Sequence, residues 1–180
     1  LFILKFSNLE KNDFSYVIFA WIVIISGSIV VSNLLGYSLS SYTNEITRYN
    51  IFSWGSGLSV NDTATKGFFT YANQVSITSL SLMCLMFYEI VVSEKGNIFR
   101  NGSLFVVCIS MWMIGTRLAT YGGLLVLVAL IILYVVVSII KKRLSIKKLV
   151  GPTVILLLWI VLIPIMPSSS RLDEIANAKN

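Results

Sequence analysis

Residues 113–125 read MIGTRLATYGGLL, and their only charged group is the guanidinium of Arg117. The flanking residues are so apolar that one helix over 98–140 would be more than ~60 Å long, about twice the hydrocarbon thickness of a bilayer. The chain must therefore turn within this stretch. Gly115 and Thr116 predict the turn, because glycine relaxes the backbone and the threonine hydroxyl can cap the helix that follows.

The composition indicates whether water or a lipid bilayer surrounds this protein. Hydrophobic residues make up 56% of the chain and charged residues only 12%, whereas about a quarter of the residues of a soluble domain are charged. Apolar runs of roughly 20 residues recur, and each is long enough to cross a bilayer. We therefore predict an all-α, polytopic integral membrane protein with about five transmembrane helices, at 14–35, 68–92, 98–115, 118–140 and 149–166.

The two ends of the sequence bear on its organisation. It begins with LFIL and stops in a polar stretch, RLDEIANAKN. The first residues lack the basic start and the small-residue cleavage site of a secretory signal. We expect residues 1–180 to form a single membrane domain that is a fragment of a longer polytopic chain.

The distribution of lysine and arginine predicts the orientation. Most of the fourteen basic residues fall on one side of the predicted spans, namely Lys5, Lys11, Lys95, Arg100, Lys141, Lys142, Arg143, Lys147 and Lys148. The positive-inside bias makes that side cytoplasmic, so the loops 93–97 and 141–148 are cytoplasmic and the long loop 36–66 is outside. The cluster KKRLSIKK in the second of these loops is a topology anchor or, alternatively, binds anionic lipid.

The outer loop is rich in Ser, Thr, Asn and Tyr. Loops of this length are uncommon unless they are functional or disordered. The apolar spacing in YTNEITRYNIFSW, residues 42–54, predicts a short helix along the outer interface. Trp54 is then expected at the level of the lipid headgroups.

The composition also disfavours several classes of partner. The chain has no histidine, and Cys84 and Cys108 both fall inside apolar segments, so we expect no metal site and no cofactor. The net charge of +6 is spread over loops that flank membrane spans. This distribution predicts no nucleic-acid partner.

Arg117 is expected in the first turn of the fourth span, at the outer end. The partial positive charge of a helix N-terminus makes this position unfavourable for a cation, and arginine next to hydrocarbon is costly. An anion would relieve both effects, because backbone N–H groups and a guanidinium can share one phosphate. The alternative is an arginine that snorkels to the headgroups. The small residues that follow, Ala119, Gly122 and Gly123, indicate close helix packing.

A second polar cluster opens the second span. GFFTYANQVS, residues 67–76, contains the amide pair Asn73 and Gln74 beside Tyr71. An amide inside a membrane helix should find a partner, either across a helix interface or on a ligand. We predict that Asn73 points into the bundle close to the start of the fourth span.

These two stretches, in this order, resemble the O-antigen ligase/polymerase superfamily over residues 67–140. Those membrane glycosyltransferases carry a glycine–aromatic–Asn motif at one helix entrance, which Tyr71-Ala72-Asn73 matches with Ala72 where proline is common. Two helices later they carry a Ser/Thr-Arg-small-small motif, which Thr116-Arg117-Leu118-Ala119 matches with Leu118 in place of a small residue. The order and spacing of the two motifs carry the resemblance.

The resemblance implies a metal-independent ligase or polymerase in the bacterial inner membrane. Such an enzyme moves a glycan from an undecaprenyl pyrophosphate carrier to an acceptor hydroxyl or amine at the outer face. The implied partners are the lipid-linked donor, membrane lipids and other polysaccharide-assembly proteins. The implied donor-binding residues are Arg117, Thr116, Asn73 and Tyr71, and the catalytic base is expected beyond residue 180.

Arg171 is the second arginine of the predicted site. It follows Pro164, Pro167 and a serine run, and therefore begins the outer loop beyond the fifth span. Two arginines at one membrane entrance repel each other unless an anion joins them, and a pyrophosphate would do so. Two other interpretations stay open, a non-enzymatic transporter or flippase segment, whose site would lie near the midplane, and a scaffold whose polar residues only pack helices.

Overall fold

The structure is a computed structural model that describes residues 11–43, 45–47, 49–54, 56, 58–92, 98–140, 142 and 145–168, without the side chains of 11–14 and 60. Within these ranges, four helices are long and apolar enough to cross a membrane. They cover Ser15–Leu34, Ala72–Val92, Leu118–Ile140 and Ile146–Ile165. The chain is therefore a helical, polytopic membrane protein, as its composition predicts.

The first span is one continuous helix that contains a short π-helical segment. Helix α1 (Lys11–Ile22) passes through a π-helical segment, Val23–Gly27, into α2 (Ser28–Leu34). A short helix α3 (Val60–Thr63) follows in the loop between the first two spans. The remaining helices are α4 (Ala72–Val92), α5 (Ile98–Ile114), α6 (Gly123–Ile140) and α7 (Ile146–Leu162), with 3-10 turns at Ile51–Ser53 and Ile163–Ile165.

Helix α5 is the centre of the bundle. It has 17 residues, which corresponds to about 26 Å at ~1.5 Å per residue, and its last turns are buried from Ser110 to Ile114. Its most extensive contact is with α4, where Met83 and Met86 face the core. By contrast, only 17% of the most apolar stretch of the spans Leu118–Ile140 and Ile146–Ile165 is buried, against 50% for the span Ala72–Val92. The apolar outer faces of α6 and α7 are therefore the surfaces suited to lipid.

Small residues allow α6 to approach its neighbours, as the sequence predicts. A Cβ built on Gly123 would overlap the rings of Trp159 in α7 and the end of Met111 in α5. Trp159 packs edge-to-face on Trp112 of α5, with ring centroids 5.6 Å apart. Close backbone approach at a glycine is a common way for membrane helices to gain packing contacts.

The loop between the first two spans, predicted at 36–66, contains a small antiparallel sheet. Strand β1 (Ser38–Ser40) lies between β2 (Ile46–Thr47) and β3 (Thr65–Gly67), with Leu39 opposite Ile46 on one side and Gly67 on the other. The predicted helix over 42–54 is therefore wrong, because the chain there pairs as β2 and then forms only a 3-10 turn. Trp54 is half-buried and packs against the core.

The turn between α5 and the next helix lies where Gly115 predicts it. Gly115 has a positive φ of 64°, which L side chains rarely adopt. A Cβ there would lie 2.9 Å from the Cβ atoms of both Ala64 and Pro167. The sheet, this turn and Pro167 thus lie at one end of the bundle, the sheet end. The opposite end, which carries Lys142 and the start of α7, is called the basic end.

Several predicted boundaries differ from the structure. Helix α4 begins at Ala72 rather than at residue 68, and α7 begins at Ile146 rather than at 149, so the last residues of the predicted loop 141–148 are helical. The residues after Arg117 form a π-helical segment, Leu118–Gly122, before α6 begins. The predicted loop 93–97 lies outside the described residues.

Candidate functional site

A cavity of about 950 Å³ opens at the sheet end. Three parts of the chain meet there, namely the residues after β1, the segment from β3 into α4, and the Gly115 turn. The lining residues are Ser41, Tyr42, Lys66, Thr70, Tyr71, Ala72, Asn73, Gln74, Thr116, Arg117 and Leu118. Four of the five predicted site residues, all except Arg171, therefore line one cavity, which we call the sheet-end cavity. Arg171 lies outside the described residues.

Arg117 presents an exposed guanidinium to this cavity. It stands at the N-cap position of the π-helical segment, with φ −55° and ψ −38°. The described residues provide no carboxylate within ion-pair distance of its side chain, since their one ion pair joins Arg100 to Glu89. A cation at the start of a helix, next to backbone N–H groups, creates a positive local potential.

The Thr116 hydroxyl holds the turn together. It accepts a hydrogen bond from the Ala119 backbone N–H at 3.1 Å, which is the predicted cap. It also lies 2.9 Å from Ser76 Oγ, and Ser76 Oγ donates to the Ala72 carbonyl at 2.7 Å. Because a hydroxyl has one proton to donate, Thr116 must be the donor to Ser76. Thr116 is therefore a positioning residue that ties Arg117 to α4.

Tyr71 and Asn73 lie beside this tie at the start of α4. Both side chains are exposed and line the sheet-end cavity. Ala72, which separates Tyr71 from Asn73, is buried. Within the described ranges no hydrogen bond involves the Asn73 side-chain amide. The amide donors and acceptor of Asn73 are thus directed to the same space as the Arg117 guanidinium.

Two hydroxyl residues that follow β1, Ser41 and Tyr42, complete the wall, and nothing in the sequence singled them out. Ser41 Oγ donates to the Ile114 carbonyl at 2.6 Å, and the Tyr42 hydroxyl donates to the Gly115 carbonyl at 2.8 Å. The last carbonyls of a helix have no partner within it. The loop between the first two spans therefore caps α5 with side chains and fixes the backbone that leads to Arg117.

Lys66 is a second cation of the cavity, and it lies outside both sequence motifs. It lies in β3 with 4% of its surface exposed, and its Nζ donates to the Thr43 carbonyl at 3.4 Å. Burial lowers the pKa of Lys66 because it disfavours the charged ammonium. The cavity wall thus combines a buried lysine with an exposed arginine.

The basic end contains a contrasting polar group. Glu89 in α4 is buried, accepts a hydrogen bond from Ser15 Oγ at 2.8 Å and lies 3.6 Å from Arg100 Nε. Neither residue is a predicted site residue, and Arg100 is predicted only as one of the basic residues that indicate the orientation. In the structure their ion pair and the Ser15 hydrogen bond join α1, α4 and α5.

These features define a class, a polytopic membrane protein with a cation- and amide-lined cavity at one end of its helical bundle. The chain belongs to the O-antigen ligase like membrane protein family, which residues 1–177 match. No curated protein and no solved structure matches the chain. The family match confirms the resemblance drawn from the two motifs. It identifies a multi-pass membrane enzyme of polysaccharide assembly, a process whose substrates are lipid-linked glycans.

Proposed function

We propose that the sheet-end cavity binds the pyrophosphate of an undecaprenyl-linked glycan donor, and that the enzyme transfers the glycan to an acceptor hydroxyl or amine. The reaction is that of a ligase or polymerase at the outer face of the bacterial inner membrane. The observation that carries the proposal is the exposed Arg117 guanidinium, which faces a cavity of about 950 Å³ and has no carboxylate partner among the described residues.

The chemistry of transfer explains why a cation is useful at this position. As the bond between the glycan and the carrier breaks, negative charge grows on the departing pyrophosphate. Preorganised donors that meet this charge in a water-poor site lower the barrier most. The planar fork of Arg117 fits two phosphate oxygens at once.

The other cavity residues supply complementary functions in this proposal. Lys66 adds a second positive charge from β3, and the Asn73 amide can donate to a phosphate or sugar oxygen. Thr116 holds Arg117 in place. Tyr71 borders the entrance. Arg171 is retained as a further arginine of the site on the grounds of the sequence alone.

The position of the cavity supports transfer rather than transport. Its lining residues come from the first turn of α4, the end of α5 and the outer loop, all at the sheet end. A transporter site lies near the midplane of the membrane, where discontinuous helices meet. A purely structural role for the amide would require a hydrogen-bonding partner for the Asn73 side chain, and none occurs in the part of the chain that the structure describes.

The proposal places the sheet end outside the cell. Single cysteines at Ser56 and Ser145, in a background with Cys84 and Cys108 replaced by alanine, provide the test. A membrane-impermeant maleimide is expected to label position 56 in intact cells and position 145 only after the cells are opened. Labelling of position 145 from outside would overturn this orientation.

The function itself is tested with Arg117→Lys in the full-length protein. The variant keeps the charge but loses the planar fork, so we expect glycan transfer from a lipid-linked donor to fall roughly a hundredfold at equal protein level. Arg100→Lys is the matched control, and its transfer per folded molecule should stay at the wild-type level. An arginine that only snorkels would tolerate lysine. Normal transfer by Arg117→Lys would therefore refute the site.

A further inference from the structure

A second cavity, of about 220 Å³, lies between α4 and α6 toward the basic end. Four residues of α4 from Cys84 to Val91 and four of α6 from Leu130 to Val137 line it, at spacings that place each set on one helix face. Both helices run from the sheet end to the basic end. The cavity is therefore a groove that extends for about 10 Å along the helix axes and ends at Val91 and Val137. We call it the basic-end groove.

The groove is open to the surroundings of the bundle and has an apolar wall. The side chains of Tyr88 and Leu133 are 56% and 59% exposed, and both line the groove. An apolar groove on a surface that faces hydrocarbon suits an acyl chain, whereas a polar ligand would lose its hydration there without gaining hydrogen bonds.

The mouth of the groove contacts the first turn of α7 and the residue that precedes it. The Lys148 ammonium donates to the carbonyl of Val91, a lining residue. The hydroxyl of Tyr134, also a lining residue, donates to the Ser145 carbonyl at 3.4 Å. An ammonium has three N–H donors, so Lys148 retains capacity for an anion after its bond to Val91. Lys147 is exposed beside it.

The charges at this end favour an anion. Lys142 lies in the connection between α6 and α7 and is exposed, and Lys147 and Lys148 lie in the first turn of α7. Glu89 lies on α4 near the same end, but its carboxylate is buried against Arg100 and Ser15. Among the described residues, no other carboxylate lies in the last turns of α4 or α6 or the first turn of α7.

We propose that the basic-end groove and Lys148 form a binding site for one anionic phospholipid of the adjacent leaflet. One acyl chain lies in the groove between Cys84 and Val91, and the phosphate contacts the Lys148 ammonium. A zwitterionic phospholipid would bring its own cation next to the lysines, so the site selects a headgroup with net negative charge. This inference is independent of the proposed transfer reaction.

Two simpler accounts predict different results. Lys148 could serve only to cap the C-terminal carbonyls of α4, and the basic loop could attract anionic lipid without a defined site. Under the second account each lysine of the loop contributes equally. Under our proposal Lys148 contributes more than its exposed neighbour Lys147, and the shape of the groove matters independently of charge.

The charge test titrates the purified full chain with dioleoyl phosphatidylglycerol or dioleoyl phosphatidylcholine and counts bound lipid by native mass spectrometry. Loss of one surface lysine weakens anionic-lipid binding about fivefold, which is the expectation for Lys147→Gln. Lys148→Gln should lose about a further tenfold, because a charge-assisted hydrogen bond is lost as well. Lys148→Arg should retain the preference for phosphatidylglycerol. Equal losses for the two glutamine variants, or equal binding of the two lipids by the wild type, would overturn the site.

The groove test leaves every charge in place. Cys84→Trp fills the groove and should abolish the tightly bound phosphatidylglycerol, while Leu125→Trp, on an exposed part of α6 outside the groove, should bind it like the wild type. Thermal unfolding of each variant reports whether the fold is retained. If Lys148→Gln fails to fold, the tryptophan pair still decides the question. Unchanged binding by folded Cys84→Trp would refute the proposal.

Discussion

Arg100 and Arg117 occupy similar positions in the chain and have opposite surroundings. Each lies in the first turn of a helical segment, where the helix dipole disfavours a cation. Arg100 faces Glu89 at 3.6 Å, and the two side chains are 26% and 5% exposed. Arg117 is exposed in the sheet-end cavity and meets no carboxylate within the described ranges. One arginine thus receives its anion from the protein, whereas the other has room to receive it from a ligand.

The difference separates a structural tie from a binding group. A half-buried cation such as Arg100 is stabilised by an internal partner, because removal of the buried Glu89 carboxylate leaves its charge uncompensated in a medium of low dielectric. An exposed cation in a polar cavity needs no internal partner, because water solvates it until an anionic ligand binds. The basic-end arginine should therefore govern stability, and the sheet-end arginine should govern transfer.

The largest effect is expected when the internal partner is removed. Glu89→Leu leaves Arg100 without its carboxylate and should lower the free energy of unfolding by about 3 kcal/mol. The double variant Glu89→Leu/Arg100→Leu should lose less than the single variant, because no uncompensated charge remains. Unfolding in mixed detergent micelles measures both values. If the double variant is as unstable as the single one, the ion pair is not the source of the loss.

The next effect concerns the turn that presents Arg117. Gly115→Ala places a side chain at a φ of 64° and within 2.9 Å of Ala64 and Pro167. This should lower the free energy of unfolding by about 2 kcal/mol. It should also displace Arg117, so that transfer falls. Gly102→Ala is the control, because a Cβ there meets nothing within 4 Å and should stabilise α5 by up to ~1 kcal/mol. Equal stability of the two variants would contradict this account of the turn.

A smaller effect is expected from the cap. Thr116→Val removes the acceptor for the Ala119 N–H and the donor to Ser76, and should lower the free energy of unfolding by about 1 kcal/mol. Transfer should fall too, because Arg117 loses its anchor to α4. Thr116→Ser keeps the hydroxyl and should restore both properties. Failure of serine to restore transfer would show that the methyl group, rather than the cap, is required.

The smallest effect is a pH dependence at Lys66. Because burial lowers its pKa from the ordinary lysine value of 10.5, Lys66 loses its proton at lower pH in the folded state than in the unfolded state. Its contribution to the free energy of unfolding therefore rises with pH between the lowered pKa and 10.5. Over the same interval the cavity loses positive charge, so donor binding should weaken.

Lys66→Arg provides the control for this pH dependence, since arginine keeps its charge throughout that range. Binding of the lipid-linked donor is measured from neutral to alkaline pH for both proteins. The arginine variant should show the flatter profile. Parallel profiles would show that the charge of Lys66 does not contribute to donor binding.

Hydropathy and single residues predict much of this architecture. Long apolar runs specify the membrane helices, because few other structures satisfy the backbone in lipid. Gly115 and Thr116 specify the turn through local chemistry alone. Because that turn lies at the same end as the start of α4, the sequence order also suggests that Asn73 and Arg117 could share a cavity.

The remaining features depend on distant parts of the chain. The strands have only two or three residues, too few to show the alternation by which strands are recognised. Lys66 becomes a cavity residue only because β3 pairs with β1. The pairing of Glu89 with Arg100 likewise requires α4 and α5 to be packed, so neither contact could be identified from local sequence.

The hydroxyl caps on α5 have a consequence for the order in which the protein is made. Ser41 and Tyr42 bind carbonyls that lie 73 positions later in the chain, so the ribosome completes the loop between the first two spans well before it completes the helix that this loop caps. During insertion, the caps are already available when the end of α5 reaches the sheet end. A defect in either hydroxyl would therefore act during biogenesis, when α5 docks, at a point far from the altered residue in the sequence.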